Sequence, residues 1–363
     1  MNHELESKSS RKRVTIHLVA KEAGVSASTV SRVLTGNGAV HEDLRKAVLQ
    51  AVEKLAYRPN QIARSLKNRE TCTLGLLIND ILNPFYSAVA KGVEDRARMA
   101  GYSVIFSNTS EDSELERNAL AMLHDKAVDG IIFAPIDINN LEVLENLLAM
   151  GMRLVQIDRR LPQLKTSVVL LDNQAGAYQA THHLLERGHT RIGLVNHVPG
   201  RETLVERERG YERALQDAGL PVNKALTCHV EFDMSNLAEQ VKRLLSVQNP
   251  PTALLATNNR LAIGVLSTLK ELHLTIPDDM ALVVFDDLEL FALQTPSITA
   301  VAQPAYTMGY KAADLLLEQL TNDSPPPTQV ITFHPELIIR ESSELNRKHL
   351  PPNSAEGSDA STD

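Results

Sequence analysis

The chain has 363 residues, of which 43 % are apolar and 23 % charged, with a formal net charge of −8. Length holds two or three folded units at about 150 residues each, and the composition is that of a soluble globular protein. No run of about 18 apolar residues could span a membrane, and two cysteines, Cys72 and Cys228, cannot build a disulfide framework or a Cys-rich zinc site.

The polar, basic stretch from Met1 to Arg13 lacks the apolar core of a signal peptide. A cytoplasmic protein with both thiols reduced is expected. The negative net charge argues at face value against a nucleic-acid partner. It hides an asymmetry, because residues 1–69 hold 13 Lys and Arg against 6 Asp and Glu, a balance of +7, while the rest carries −15. A basic head on an acidic body fits a nucleic-acid-binding module, with a solvated charged face as the plain alternative.

The head starts with Thr15, which can cap a helix from Ile16 to Ala23 with Val19, Ala20 and Ala23 on one face. Gly24 supplies a tight turn, and Ser26 can cap a second helix from Ala27 to Leu34. Val30, Val33 and Leu34 form its apolar face; Ala27, Ser28, Thr29, Ser31 and Arg32 form the other. Two short helices joined this way make a helix-turn-helix, whose second helix enters the major groove. A third helix, Glu42 to Ala56, is expected to bury Leu44, Val48, Val52 and Leu55. Pro59 breaks it, and Asn60 can cap one more short helix carrying Ala63, Arg64, Leu66 and Lys67. That helix is too short to be stable alone, and a leucine flanked by basic residues suits minor-groove insertion.

Residues Val25 to Leu34, followed by Tyr57-Arg58-Pro59-Asn60 and Ala63-Arg64-Ser65-Leu66-Lys67, closely resemble the head and hinge of the lactose-repressor (LacI/GalR) family. The resemblance continues to about Arg340. It implies a homodimer on a palindromic double-stranded DNA operator, with paired hinge helices at the centre and Leu66 as the wedge; packing between head and body is the alternative for Leu66. Leu18 stands where the family usually has Asp, and His41 where Ser or Thr usually caps the third helix. Ala27 and Ser28 occupy the positions that most often choose operator sequence. Both are small, so direct readout falls to Arg32, which would pair with guanine.

From Cys72 the chain alternates short apolar runs with helical stretches. Strands are predicted at 74–78, 103–106, 130–134, 154–157, 192–195, around Cys228, at 253–256 and at 281–285. Helices fall between them, at 84–100, 114–125, 141–150, 175–187, 206–218, 237–245 and 261–272. This alternation implies an α/β architecture of parallel sheets with helices on both faces, in two lobes. Ligands of such sheets bind beyond the strands' carboxyl ends. There the sequence places Asn83, Phe85 and Tyr86, Asp158 and Arg159, Arg201 with Thr203 and Arg207, Phe232, Asn258 and Asn259, and Asp286 with Asp287. Aromatics, carboxylates, amides and guanidinium groups are the set that holds a small polar ring.

The resemblance sharpens this list. Phe85, Tyr86, Arg201, Thr203, Arg207, Phe232 and Asp286 match the family's effector-contact positions, and Asn258-Asn259 replaces its usual Asn-Asp pair. Asn83 could equally be a helix cap and Asp158 a turn carboxylate, while for Arg207 ligand contact is favoured over a surface arginine. Arg159, Arg160, Arg201, Arg207, Arg209 and Arg260 near the cleft favour an anionic effector, a sugar acid or sugar phosphate, over a neutral sugar.

His182, His183 and His189 do not complete a metal site, and no phosphate-cradling glycine motif or nucleophile elbow is present. No metal, cofactor, catalytic residue or membrane contact is therefore expected. The expected divisions are a basic tail at 1–13, a DNA-binding head at 14–58 and a hinge at 59–70. A periplasmic-binding-protein-like effector and dimerisation body follows at 71–342, and a polar disordered tail from about Glu341 or residue 343 to 363. Lobe one takes about 71–171 and 303–332, lobe two about 172–300 and 333–342. The reading is a ligand-responsive transcriptional regulator, a repressor of carbohydrate-utilisation genes first, with activation, corepression or solute binding as alternatives.

Overall fold

The structure, a computed structural model, describes residues 14–35, 39–57, 71–322 and 326–344. The chain divides into two compact units, the first ending at Thr71 and the second starting at Cys72.

The first unit holds helices α1 (Ile16–Ala23), α2 (Ala27–Thr35) and α3 (Glu42–Lys54). Val19, Val30 and Val48, one from each helix, are fully buried against one another's neighbours in a single small core. Gly24 ends α1 at φ 65°, a left-handed conformation that a residue without a Cβ adopts freely, and the Val25 N–H returns to the Ala20 carbonyl at 3.0 Å. Two expectations fail here. Thr15 precedes α1 but its hydroxyl makes no capping bond; only its carbonyl serves, accepting from Leu18 and Val19. Leu44 is 42 % exposed rather than buried, because the two short helices packed on α3 fully cover only Val48 and Ala51. The hinge residues Asn60, Ala63, Arg64, Leu66 and Lys67, like the tail at 1–13, lie outside the described residues.

The second unit is built on two six-stranded sheets. Lobe one opens with β1 (Thr73–Ile78), α4 (Pro84–Met99), β2 (Ser103–Asn108), α5 (Ser113–Asp125), β3 (Gly130–Phe133), α6 (Leu141–Ala149), β4 (Arg153–Ile157) and β5 (Ser167–Leu171). Lobe two follows with α7 (Asn173–Glu186), β6 (Ile192–His197), α8 (Glu202–Asp217), β7 (Thr227–Val230), α9 (Leu237–Leu245), β8 (Ala253–Ala256), α10 (Asn259–Glu271), β9 (Ala281–Phe285), α11 (Glu289–Leu293) and β10 (Thr299–Ala302). The chain then returns to lobe one for α12 (Ala305–Thr321) and β11 (Val330–Phe333), and ends in lobe two with β12 (Glu336–Ile338). It thus crosses between lobes at 171–173, 302–305 and 333–336. The first sheet runs β11-β5-β4-β3-β1-β2 and the second β12-β10-β9-β8-β6-β7; neighbours are parallel except the pair β10–β12.

Parallel sheets are buried on both faces, and the apolar runs show it. Along β1, Leu74, Leu76 and Ile78 join the core under α4 and α12, while Leu77 joins the core under α5 and α6. In lobe two, Val283 and Phe285 face α7, and Leu282 and Val284 face α9 and α10. Full burial of each such side chain contributes about 1.5–3 kcal/mol.

Glycine sets the spacing of one helix pair in each lobe. A Cβ on Gly92 of α4 would lie 2.1 Å from the Tyr306 carbonyl of α12, and one on Gly210 of α8 would lie 2.3 Å from the Gln174 carbonyl of α7. The polar tail expected from Glu341 is folded at its start. Residues Glu341–Ser343 form one 3-10 turn, and Ser342 and Ser343 are fully buried. Ser342 Oγ donates to the Leu282 carbonyl (2.6 Å) and accepts from Thr299 N (2.8 Å), so hydroxyls that read as disordered composition are tied into the second sheet. Residues beyond Glu344 lie outside the described residues.

Candidate functional site

In the head, α2 begins at a hydroxyl cluster. Ser26 Oγ accepts from Thr29 N at 3.2 Å, capping the helix, and sits 2.7 Å from Ser28 Oγ and 2.9 Å from Thr29 Oγ1. Ser28 and Arg32 are exposed on the outer face of α2, whereas Ala27, Thr29 and Ser31 are half-buried, and Ala27 packs against the head core. This geometry offers a short helix whose first turns carry hydroxyls and one arginine.

In the body, a cavity of about 500 Å³ lies between the lobes, at the carboxyl ends of the parallel strands. It is lined by nine of the named effector residues and their neighbours: Asn83, Phe85 and Tyr86 after β1, Asp158 after β4, Thr203 and Arg207 on α8, Phe232 after β7, Asn258 after β8, and Asp286 after β9. Asp158 and Asp286 stand at φ 69° and 74°. Both carboxylates follow a strand directly in left-handed backbone, which is strained and tolerated best by Asp and Asn among residues with a side chain.

Asn83 caps α4 by accepting from Phe85 N (3.0 Å), and Asn258 caps α10 by accepting from Leu261 N (2.8 Å). The Tyr86 hydroxyl donates to Asp158 at 2.8 Å; burial raises the Tyr86 pKa well above its ordinary value. Burial also raises the Asp158 pKa, against the opposing pull of Arg159 and the Tyr86 hydroxyl. Arg207 is 5 % exposed, donates to Asn173 Oδ1 (2.8 Å) and to the Thr257 carbonyl (2.5 Å), and lies 3.7 Å above the Phe285 ring. It is therefore a fixed cation in the cavity wall, not a surface arginine.

Arg201 is the exception. It does not line the cavity. Its guanidinium crosses from lobe two to lobe one, donating to the Ile136 carbonyl at 3.0 Å and pairing with Glu111 at 3.2 Å, with Phe232 5.3 Å away. Arg159 makes a bidentate pair with the same carboxylate, at 2.8 and 2.6 Å. Burial pushes the Glu111 carboxyl up, but the two guanidinium groups overcome it and hold its pKa below the ordinary value. Arg209 is exposed and paired with Glu206, outside the cavity, and Arg160 is exposed beside a smaller neighbouring cavity.

Other wall residues escaped sequence reasoning. Glu111 and Ser110 follow β2, which runs to Asn108, two residues past the end that its apolar run predicts. His197 ends β6; its Nδ1 lies 3.0 Å from the Val230 carbonyl, so that nitrogen carries the proton and Nε2 is left as an acceptor. Burial lowers its pKa, and its ring stacks on Phe232 at 4.9 Å. Gln303 follows β10, donates to Asp286, and has a buried Oε1 without a partner in the structure. Among the described residues no cluster of three His, Cys, Asp or Glu could hold a metal ion, and no helix is long and apolar enough to cross a membrane. His182 and His183 point apart, one stacked on Tyr178 and the other bonded to Ser343.

Comparison with known proteins agrees with both units. Residues 15–60 match the bacterial regulatory proteins of the lacI family, and residues 181–343 match the periplasmic binding protein-like domain. The HTH-type transcriptional repressor PurR of Aliivibrio salmonicida is 34 % identical, over 90 % of this chain and 98 % of its own length. Catabolite control protein A of Priestia megaterium is also 34 % identical, over 91 % of this chain and 99 % of its own. A solved complex of the transcriptional regulator CelR with cellobiose has 28 % identity and a TM-score of 0.68, covering 91 % of this chain and 100 % of that one. The Lac repressor dimer bound to operator and the anti-inducer ONPF is alike in fold, with a TM-score of 0.80 at 24 % identity, over 92 % of this chain and all of its own. A helix-turn-helix head and a two-lobed body, matched over nearly the full length of these relatives, place the chain in the LacI family of bacterial regulatory proteins, as a DNA-binding transcriptional regulator of metabolic genes.

Proposed function

We propose that the chain is a cytoplasmic repressor that binds a palindromic operator as a homodimer and responds to a small, neutral, hydroxyl-rich effector, with carbohydrate-utilisation genes as its targets. The observation that carries the effector class is the charge of the cavity wall. Five carboxylates line it, those of Asp80, Glu111, Asp158, Asp233 and Asp286, against three guanidinium groups, those of Arg159, Arg207 and Arg260. Arg159 is held by Glu111, a carboxylate it shares with Arg201 outside the wall, and Arg260 lies 3.8 Å from Asp80. Bound anions would meet a net acidic wall, whereas sugar hydroxyls can donate to Asp158, Asp286 and His197 Nε2 and accept from Arg207. The cellobiose in the complex of the related regulator is of this neutral class. Function by binding alone accounts for the site.

A second reading, an anionic effector, rests on Arg207, whose hydrogen bonds to Asn173 and Thr257 leave its charge without a directly bonded carboxylate. Melting-temperature shifts separate the two. Neutral pentoses, hexoses and disaccharides should raise the melting temperature; a rise with sugar acids or sugar phosphates alone would refute the neutral class. Asp286→Ala should abolish the shift while leaving operator binding intact, and an undiminished shift would remove Asp286 from the site.

The homodimer reading rests on lobe one. β2 is the edge of its sheet, bonded to β1 on one side among the described residues. Beside it an apolar groove of about 660 Å³ is lined by Ile78, Ile81, Ala90, Tyr102, Val104 and Phe106, with Lys91, Glu94 and Arg98 at its margin. A second copy seated there would cover an edge and a patch that monomers rarely leave bare.

A further inference from the structure

We propose that Asn259 is a positioning residue that latches the two lobes together before any effector enters, and that the latch requires a neutral amide at this position. Asn259 opens α10 in lobe two and is 2 % exposed. Its Nδ2 donates across the cleft to Asn83 Oδ1 of lobe one, at 2.8 Å. Asn83 cannot turn its amide round to become the donor. Its Oδ1 also accepts from Phe85 N at 3.0 Å as the cap of α4, and a flip would aim an NH₂ group at that N–H. The donor must therefore come from residue 259.

An aspartate there, although the same size, has no donor when ionised. Its carboxylate would oppose the Asn83 oxygen and crowd Asp286, which already accepts from the Asn259 backbone N–H at 3.3 Å. Like charges and facing acceptors in a buried site repel strongly. Asn259 thus removes a repulsion that an acid would impose and replaces it with a bond.

The latch works with a second strut elsewhere on the cleft. Arg201 ties lobe two to the Ile136 carbonyl and to Glu111, independently of the amide pair. Together they make closure partly internal to the protein. When only the closed form binds tightly, the apparent dissociation constant is the intrinsic one divided by the closed fraction. Residue 259 then sets how sensitive the regulator is without touching the specificity of the wall.

The test reads lobe closure in the ligand-free full-length protein. Spin labels are placed at Glu114→Cys in lobe one and Glu239→Cys in lobe two, both exposed, in a Cys72→Ser background; Cys228 is buried. Labelled chain is diluted with unlabelled chain so that pairs between subunits are rare, and the interlobe distance is measured by electron double resonance. The latch predicts a shift to longer distance in Asn259→Ala and a larger shift in Asn259→Asp. A mere packing role predicts the reverse, since Asp fills the space and Ala does not; that order, or a wild-type distance in Asn259→Asp, overturns the proposal. Asn83→Ser gives a second arm that introduces no charge: serine can still cap α4 but is too short to reach Asn259, so the distance must again lengthen. An unchanged distance there also overturns it. No effector is needed, so this result and the identity of the effector stand or fall separately.

Discussion

Arg32 is the exposed basic residue of α2, with small side chains at Ala27 and Ser28 before it. Arg32→Ala should therefore cost about 1–3 kcal/mol of operator binding and relax discrimination at one base pair, measured by binding to a set of single-base operator variants. Equal affinity of the two proteins across that set would exclude base reading by Arg32. Glu116, fully buried in α5, gives a prediction of a different kind. Burial pushes its pKa up from 4.5 to about 7, against bonds from Asn140 (2.7 Å) and Ile136 N (3.2 Å). The folded state holds this proton more tightly than the unfolded state, so stability falls as pH rises from about 4.5 to about 7, by roughly 3 kcal/mol for this group. Melting curves across that window should show the loss, and Glu116→Gln should flatten it. Glu116 was silent in the sequence, because a glutamate on an amphipathic helix reads as solvent-facing. Arg201 misled for a related reason: its position beside Thr203 and Arg207 was legible, but its reach to Glu111 in the other lobe depends on closure.

At the scale of elements, strands followed by helices were readable because apolar runs and helical stretches alternate so regularly. The exceptions break that rhythm. β5 follows β4 with no helix between them, across Asp158 to Thr166, so a search for alternation passes over it. The first turn of α8, Glu202 to Val205, starts without a side-chain cap and runs into a strongly charged stretch. The glycines inside α4, α8 and α12 set the distance at which helices cross; a Cβ on Gly309 of α12 would lie 2.1 Å from the Val89 carbonyl of α4. Gly92→Ala would drive a Cβ to 2.1 Å from a backbone oxygen that cannot move aside without shifting α12. It should lower stability by about 1–3 kcal/mol or more. Chemical denaturation would show it, and a stability matching the parent chain would mean that α4 and α12 can separate freely.

At the scale of the whole molecule, the overall charge was the least reliable guide and its distribution the best. The +7 stretch contains the helix-turn-helix, and the −15 remainder carries the cavity between the lobes. In the proposed homodimer, pairing of two chains multiplies the head's weak contacts into tight, specific binding. Phe106→Glu, on the edge strand β2 where Phe106 is 37 % exposed, should convert the proposed dimer to monomer in sedimentation and weaken operator binding by about tenfold or more. A mass and affinity unchanged by the substitution would move the interface to another face.

The three crossings between the lobes also bear on inheritance. Because the chain passes 171–173, 302–305 and 333–336 before it ends, neither lobe corresponds to one uninterrupted stretch of coding sequence. A single recombination joint cannot exchange one lobe for that of a relative; it always leaves α12 and β11, or β12, with the wrong parent. The halves of the cavity wall must therefore diversify chiefly by substitution in place, while the head, which ends before Cys72, can be exchanged by one cut.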